Sequence, residues 1–205
     1  MNPRTRGRLL VLEGADGSGK STQARLLARR LREAGHEVVE TREPHACPAG
    51  ERIRAMARAG EAVSPEQELA WFLEQRRVHV REVIEPALAA GRVVVCDRYT
   101  LSSVAYQGAR GLDPAEILAQ SEAEFPLPDL VLWLDLPLET ALARVRGRGE
   151  PAEPLFEEAR RLAEVVRIYA SLRLPYLVRI DARGSEREVA ERVTQAVRAR
   201  LGLLV

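Results

Sequence analysis

Lysine is almost absent from this 205-residue chain: of 31 basic residues, Lys20 alone is lysine and the rest are arginine. Either one lysine has survived by chance in a composition rich in arginine, or position 20 calls for a compact, rotatable ammonium that a guanidinium fork cannot replace. Cysteine is scarce too. Cys47 and Cys96 lie too far apart for a CxxC metal pair and are too few for a disulfide framework, which points to a reducing compartment. His36, His45 and His79 are dispersed, so no metal cluster or histidine base is assigned. An excess of one charge is missing as well, with a formal net charge of +1. No overall field favours nucleic acid or an acidic membrane, and small anions are the expected partners. Long apolar runs are also lacking. Arg4, Arg6 and Arg8 are followed only by Leu9 to Leu12, too short for a signal core or a membrane span, so a cytoplasmic protein is expected.

With 46% hydrophobic residues, residues 1–205 suit a single domain able to bury a real core. The apolar run at 8–13 reads as a buried parallel strand, followed by a glycine-rich turn and a helix from Lys20 to about Ala34, stopped by Gly35. A second strand at 37–41 leads into a loop with Arg42-Glu43-Pro44 and Pro48. Ser64-Pro65-Glu66-Gln67 reads as an N-cap with proline at the first helical position, opening a long helix that Pro86 kinks or segments before Gly91. Further strands are expected at 92–97, 130–135 and 176–181, separated by helical sequence. Alternation of this kind implies an open parallel sheet covered by helices on both faces. Ligands of such sheets bind at the carboxyl ends of strands, where Glu13, Asp97 and Asp135 stand. The glycine-, proline- and charge-rich segment at about 146–156 has the composition of a linker or a mobile lid.

Gly14-Ala15-Asp16-Gly17-Ser18-Gly19-Lys20-Ser21 matches GxxxxGK[ST] between a strand and a helix. In such a P-loop the backbone N–H groups curl round phosphate oxygens and the helix N-terminus adds its dipole. Lys20 then reaches the outer phosphates and Ser21 is placed to ligand Mg²⁺. Asp97-Arg98-Tyr99 closes the third strand. By itself the Asp-Arg pair fits a salt bridge, but beside a P-loop Asp97 suits a water-bridged Mg²⁺ and Arg98 a bidentate phosphate contact. If the following segment is helical, Ser103 and Gln107 share a face one turn apart and suit a base edge. Phe72 and Arg76 have the same spacing, which fits either a core aromatic with a solvated arginine or a base-stacking ring with a polar reader.

The run from Glu13 through Gly14, Asp16, Gly17, Gly19, Lys20 and Ser21 to Thr22, the Thr41-Arg42-Glu43-Pro44 loop, the Asp97-Arg98-Tyr99 to Tyr106-Gln107-Gly108 block and Pro128-Asp129-Leu130 together resemble the bacterial thymidylate kinases over nearly the whole chain. The resemblance implies a P-loop α/β fold with five parallel strands, and a homodimer packed through helices. It also implies ATP and Mg²⁺ as donor and metal, with dTMP converted to dTDP. It places Asp16 and Glu43 near the deoxyribose and phosphate, and Arg54 and Arg98 on the dTMP phosphate. Phe72 is implied to stack on thymine, Arg76 with Ser103 and Gln107 to read its edge beside Ser102, and Tyr106 to crowd the 2′ position.

Two departures stand out. His45-Ala46 replaces the family's usual Gly-Gly, which predicts a stiffer loop, and Glu153 stands where bacterial relatives carry a lid arginine. Arg148 is then the favoured lid cation, with Arg146 the alternative. Other small P-loop nucleotide or deoxynucleoside kinases, or a weakly active nucleotide-binding paralogue, share much of this pattern. A guanine-reading Asn-Lys-x-Asp motif is impossible in a chain whose one lysine is Lys20.

Overall fold

The computed structural model describes residues 6–60, 63–146 and 155–205. Five strands, β1 (Arg8–Glu13), β2 (Val38–Arg42), β3 (Val93–Asp97), β4 (Leu130–Asp135) and β5 (Leu177–Asp181), form one sheet in the order β2-β3-β1-β4-β5 with every pairing parallel. The central strand β1 shows why its run is apolar without alternation. Leu10 and Leu12 enter one core layer with Leu27, Leu31 and Val193, while Leu9 and Val11 enter the other with Val94, Val131 and Tyr169. Successive side chains of a strand point to opposite faces, so a strand covered on both sides is hydrophobic throughout.

Helices α1 (Lys20–Glu33), α2 (Pro48–Ala59), α3 (Pro65–His79), α4 (Glu85–Ala89), α5 (Thr100–Gly108), α6 (Pro114–Glu124), α7 (Leu138–Arg146), α8 (Leu155–Ser171) and α9 (Glu186–Leu201) connect and cover the strands. Ser64 caps α3 by accepting from the Gln67 N–H at 3.2 Å with Pro65 behind it, as its sequence predicts. The kink expected at Pro86 takes the form of a π-helical turn over Val80–Ile84, in which the Glu85 N–H donates to the Val80 carbonyl. Proline lacks an N–H and its ring crowds the carbonyl four residues earlier, so the helix widens ahead of it. The long helix is thereby divided into α3 and α4.

Helix α2 stands where the stretch from Pro48 reads as loop in the sequence. Pro48 occupies its first turn, and the backbone of Gly50 lies so close to the 44–45 loop that a Cβ there would sit 1.8 Å from the His45 carbonyl oxygen. No local pattern shows that contact. The lid segment expected at 146–156 falls largely outside the described residues, as do Arg148 and Glu153.

Core truncation should separate from surface truncation. Leu12→Ala, at a fully buried position, is expected to lower unfolding free energy by about 2–5 kcal/mol. Leu204→Ala, at a position 72% exposed, should stay within about 0.5 kcal/mol of wild type. Urea denaturation of both variants checks the pair.

Candidate active site

The carboxyl ends of β1 and β3 bring the P-loop and the Asp97-Arg98-Tyr99 turn together. Gly17 has φ 80°, and a Cβ on it would meet the Ala141 carbonyl of α7 at 2.4 Å, so only glycine lets the loop lie this close to the helix. Arg144 reaches back from α7, donating to the Gly17 carbonyl at 3.4 Å. Lys20, 6% exposed, donates from Nζ to the Ala15 carbonyl at 2.8 Å and lies 3.9 Å from the Asp16 carboxylate. Burial, and then the Arg98 charge, pull its pKa down from the usual lysine value to about 8, against the opposing pull of Asp16, Asp97 and Glu13. The Ser18 hydroxyl in the same loop is buried without a protein partner.

Ser21 Oγ donates a short hydrogen bond to Asp97 Oδ2, while the other carboxylate oxygen, Oδ1, is buried and unpartnered. A hydroxyl that spends its proton on a carboxylate keeps lone pairs for a cation. Magnesium takes hard oxygen ligands and needs only one or two from protein when phosphates and water supply the rest. The pair therefore fits Mg²⁺.

Arg98 adopts φ 69°, an uncommon conformation for a residue with a side chain. Its guanidinium contacts Asp16 and donates to Ser102 Oγ and to the Tyr106 hydroxyl, each at 3.2 Å, with the Tyr106 ring 4.8 Å away. Tyr106 donates in turn to Asp16 Oδ2 at 2.9 Å. Burial raises the Asp16 pKa, but the Arg98 and Lys20 charges outweigh it and bring the carboxyl down to about 2. The expectation that Ser102 faces a ligand changes in emphasis: its hydroxyl donates to Glu13 Oε2 at 2.6 Å and accepts from Arg98, so it holds Arg98 in place.

On the other side of α5, Arg76 is fully buried. A solvated arginine, one of its two readings, is thereby excluded. Its Nε and Nη2 grip both oxygens of Glu43 at 2.7–3.1 Å, and Nη2 also donates to the Tyr99 carbonyl and Ser103 Oγ, each at 3.0 Å. Burial raises the Glu43 pKa, yet the Arg76 charge and the His79 hydrogen bond overcome it and keep the carboxyl below its ordinary range. Among the buried atoms without a protein partner are the donor Arg76 Nη1 and the acceptor Gln107 Oε1. Buried polar groups are rarely left unpaired, and a ligand is one means of completing them. Phe72 lies half-buried one turn before Arg76. Arg54, with 24% of its side chain exposed, is tied to the Pro44 and His45 carbonyls and to Glu51.

Four residues of this assembly carry weaker sequence signals. In the sequence Glu13 reads as a strand-end acid that opens the P-loop run, whereas its buried carboxylate accepts from the Tyr99 and Ser102 N–H groups and from two hydroxyls, Ser102 and Tyr169. Tyr169 in α8 had no local motif. His45 and His79, dispersed in sequence, stack with ring centroids 4.7 Å apart. Asp135, the third strand-end acid, is tied to Arg179 of β5.

The model of the thymidylate kinase family matches residues 12–193. The chain is 46% identical over 195 residues to a thymidylate kinase of Akkermansia muciniphila, covering 95% of this chain and 93% of that one. It is 45% identical over 177 residues to the thymidylate kinase of Desulfotalea psychrophila, with 86% and 87% covered, and 43% identical over 200 residues to that of Synechococcus sp. (strain JA-2-3B'a(2-13)), with 95% and 96% covered.

The depressed Lys20 pKa makes anion binding proton-linked. With a free pKa of about 8 and a bound value restored upward by phosphate, binding a triphosphate at pH 8 should take up about half a proton. At pH 6, where Lys20 is charged in both states, its share should vanish. Titration calorimetry in buffers of different ionisation enthalpy reads the uptake, and Lys20→Met should abolish it. Equal uptake by wild type and Lys20→Met at pH 8 would show that Lys20 is not the group.

Proposed function

This chain belongs to the thymidylate kinase family, which phosphorylates dTMP to dTDP, and from that premise we propose that ATP-Mg²⁺ held by the P-loop is the donor and that the Arg76–Gln107 pair selects the base. The observation that carries the reading is a buried donor and a buried acceptor, Arg76 Nη1 and Gln107 Oε1, both without a protein partner, with Arg76 bonded to Ser103 one turn before Gln107 on α5. Thymine offers the complementary edge, an O4 acceptor next to an N3–H donor. Cytosine offers the reverse, an amino donor next to a bare ring nitrogen. Phe72 supplies a half-buried ring for stacking.

Each remaining group has a physical task in this reading. Gly14, Ala15, Asp16, Gly17, Ser18, Gly19, Lys20, Ser21 and Thr22 enclose the ATP phosphates at the start of α1, where N–H groups and dipole favour anions. Ser21 and Asp97 would hold Mg²⁺, which would supply positive charge to offset that of the phosphates. Arg98 and Arg54 hold the acceptor phosphate, with Asp16 and the Arg98–Ser102 contact orienting Arg98 until that phosphate arrives. Glu43 acts through Arg76, and Tyr106 crowds the 2′ position of the sugar. The attacking oxygen is already anionic at neutral pH, so positioning and charge stabilisation do the work and no general base is required. The reading extends to one kinase domain in a cytoplasmic homodimer. Its support is the family.

An acceptor screen with ATP-Mg²⁺ tests the assignment. Turnover should be fastest with dTMP. Both thymidine, which lacks the anion for Arg54 and Arg98, and dCMP, whose edge is reversed, should fall by about a hundredfold or more in kcat/KM. Faster phosphorylation of thymidine, AMP or dCMP than of dTMP would sink the reading.

Charge building on the transferred phosphoryl group calls for a cation over it. Arg148 and Arg146 of the lid segment are the proposed sources, and Arg144, already at the Gly17 carbonyl, is the next. Alanine at the acting arginine should lower kcat by about a hundredfold or more, with KM for ATP and Tm little changed. Wild-type kcat in both the Arg146→Ala and Arg148→Ala enzymes would end the lid proposal and move the role to Arg144.

A further inference from the structure

Arg76 is held by a chain of hydrogen bonds that begins at Thr41 on β2. His79, fully buried one turn after Arg76 on α3, places Nδ1 at 3.2 Å from Glu43 Oε1 and Nε2 at 2.7 Å from Thr41 Oγ1 on the edge strand β2. The other face of its environment is closed by the His45 ring, stacked at 4.7 Å and inclined by 14°. Glu43 ionises readily beside Arg76, so its oxygens only accept. Nδ1 must therefore carry a hydrogen whatever the charge of the ring, and Nε2 is left to accept from, or donate to, the Thr41 hydroxyl.

This chain constrains a geometry that the Glu43–Arg76 pair alone leaves loose. Two parallel N–H···O bonds make guanidinium and carboxylate coplanar, but the joined plane can still swing about the two side-chain stems. His79 fixes Oε1 from a third direction, and Thr41 fixes His79. With Nε and Nη2 so held, Nη1 has one direction left to point. We infer that His79 is a positioning residue for base selection, acting through Glu43 to aim the free Arg76 donor, with Thr41 as its anchor on β2. The inference rests on the reading of Arg76 and Gln107 as the base site. It assigns His79 neither contact with substrate nor transfer of a proton.

Loss of aim should weaken ground state and transition state alike, which raises KM and spares kcat. His79→Leu keeps the volume and removes both nitrogens. Its KM for dTMP should rise about tenfold or more, with kcat and KM for ATP within about threefold of wild type. His79→Asn places an N–H where Nδ1 stood and should recover most of that loss, with a dTMP KM at least about threefold below that of the leucine variant. A role in packing alone predicts instead that both variants lose Tm together, with no difference between the two KM values. If His79→Leu does not fold, Thr41→Val carries the test, because it removes the hydroxyl that bonds His79 and leaves the side chain's size: its dTMP KM should rise by about threefold or more at unchanged kcat. A dTMP KM in folded His79→Leu within threefold of wild type, no recovery in His79→Asn, or, where the leucine variant does not fold, an unchanged KM in Thr41→Val, overturns the inference. Wild-type enzyme that fails to phosphorylate dTMP overturns the function reading itself, a separate result from normal turnover with insensitive KM.

Discussion

The Glu13 carboxylate is the point on which the geometry of this site depends. It ends the central strand, is wholly buried, and collects two backbone N–H groups at the start of α5 together with the Ser102 and Tyr169 hydroxyls. Burial raises its pKa, and the hydrogen bonds and the Arg98 charge offset part of that rise. The positions of α5 and α8 are thereby referred to the residue immediately before the P-loop. Arg98, Ser103, Tyr106 and Gln107 all lie on or beside α5, so the acceptor side takes its position from the donor side.

A second constraint is the pairing of every buried or half-buried arginine in the site with a carboxylate: Arg98 with Asp16, Arg76 with Glu43, Arg54 with Glu51. These pairs differ in what they do. Glu43 and Arg76 are both sealed from water, where removing one partner leaves an uncompensated charge worth about 3–5 kcal/mol, so their geometry is permanent. Asp16 is 53% exposed, and an exposed partner is exchanged for phosphate at little cost. The permanent pair suits a selector for an uncharged base, and the exchangeable one suits a clamp for an anion.

Burial also separates the two faces of the chemistry. Arg76 and Gln107, the atoms proposed to select the base, belong to α3 and α5, whereas the P-loop backs onto α7 and opens α1. Sheet order puts β1 between β3 and β4, and the strand that ends in the P-loop therefore adjoins the strand that ends in Asp97. Ser21 and Asp97, 76 residues apart, meet for that reason.

The sequence by itself determined the elements whose cause is local. The five strands are legible as short apolar runs, α1 as the continuation of a P-loop, α3 as a Ser-Pro cap, and the P-loop as a spacing that needs glycine at its turns. The Ser103–Gln107 face follows from helical periodicity alone. Tertiary structure decided the rest, because the deciding contacts join residues distant in the chain. Helix α2 follows a loop-like proline stretch and is seated by the approach of Gly50 to His45. Arg76 looks solvent-bound by composition and is buried because Glu43, 33 residues away, neutralises it. Two histidines with no shared motif become neighbours because the loop after β2 folds over α3. Local propensity depends on nearby side chains and backbone geometry. The desolvation and pairing of charges depend on which distant elements close around them, and no spacing along the chain records that.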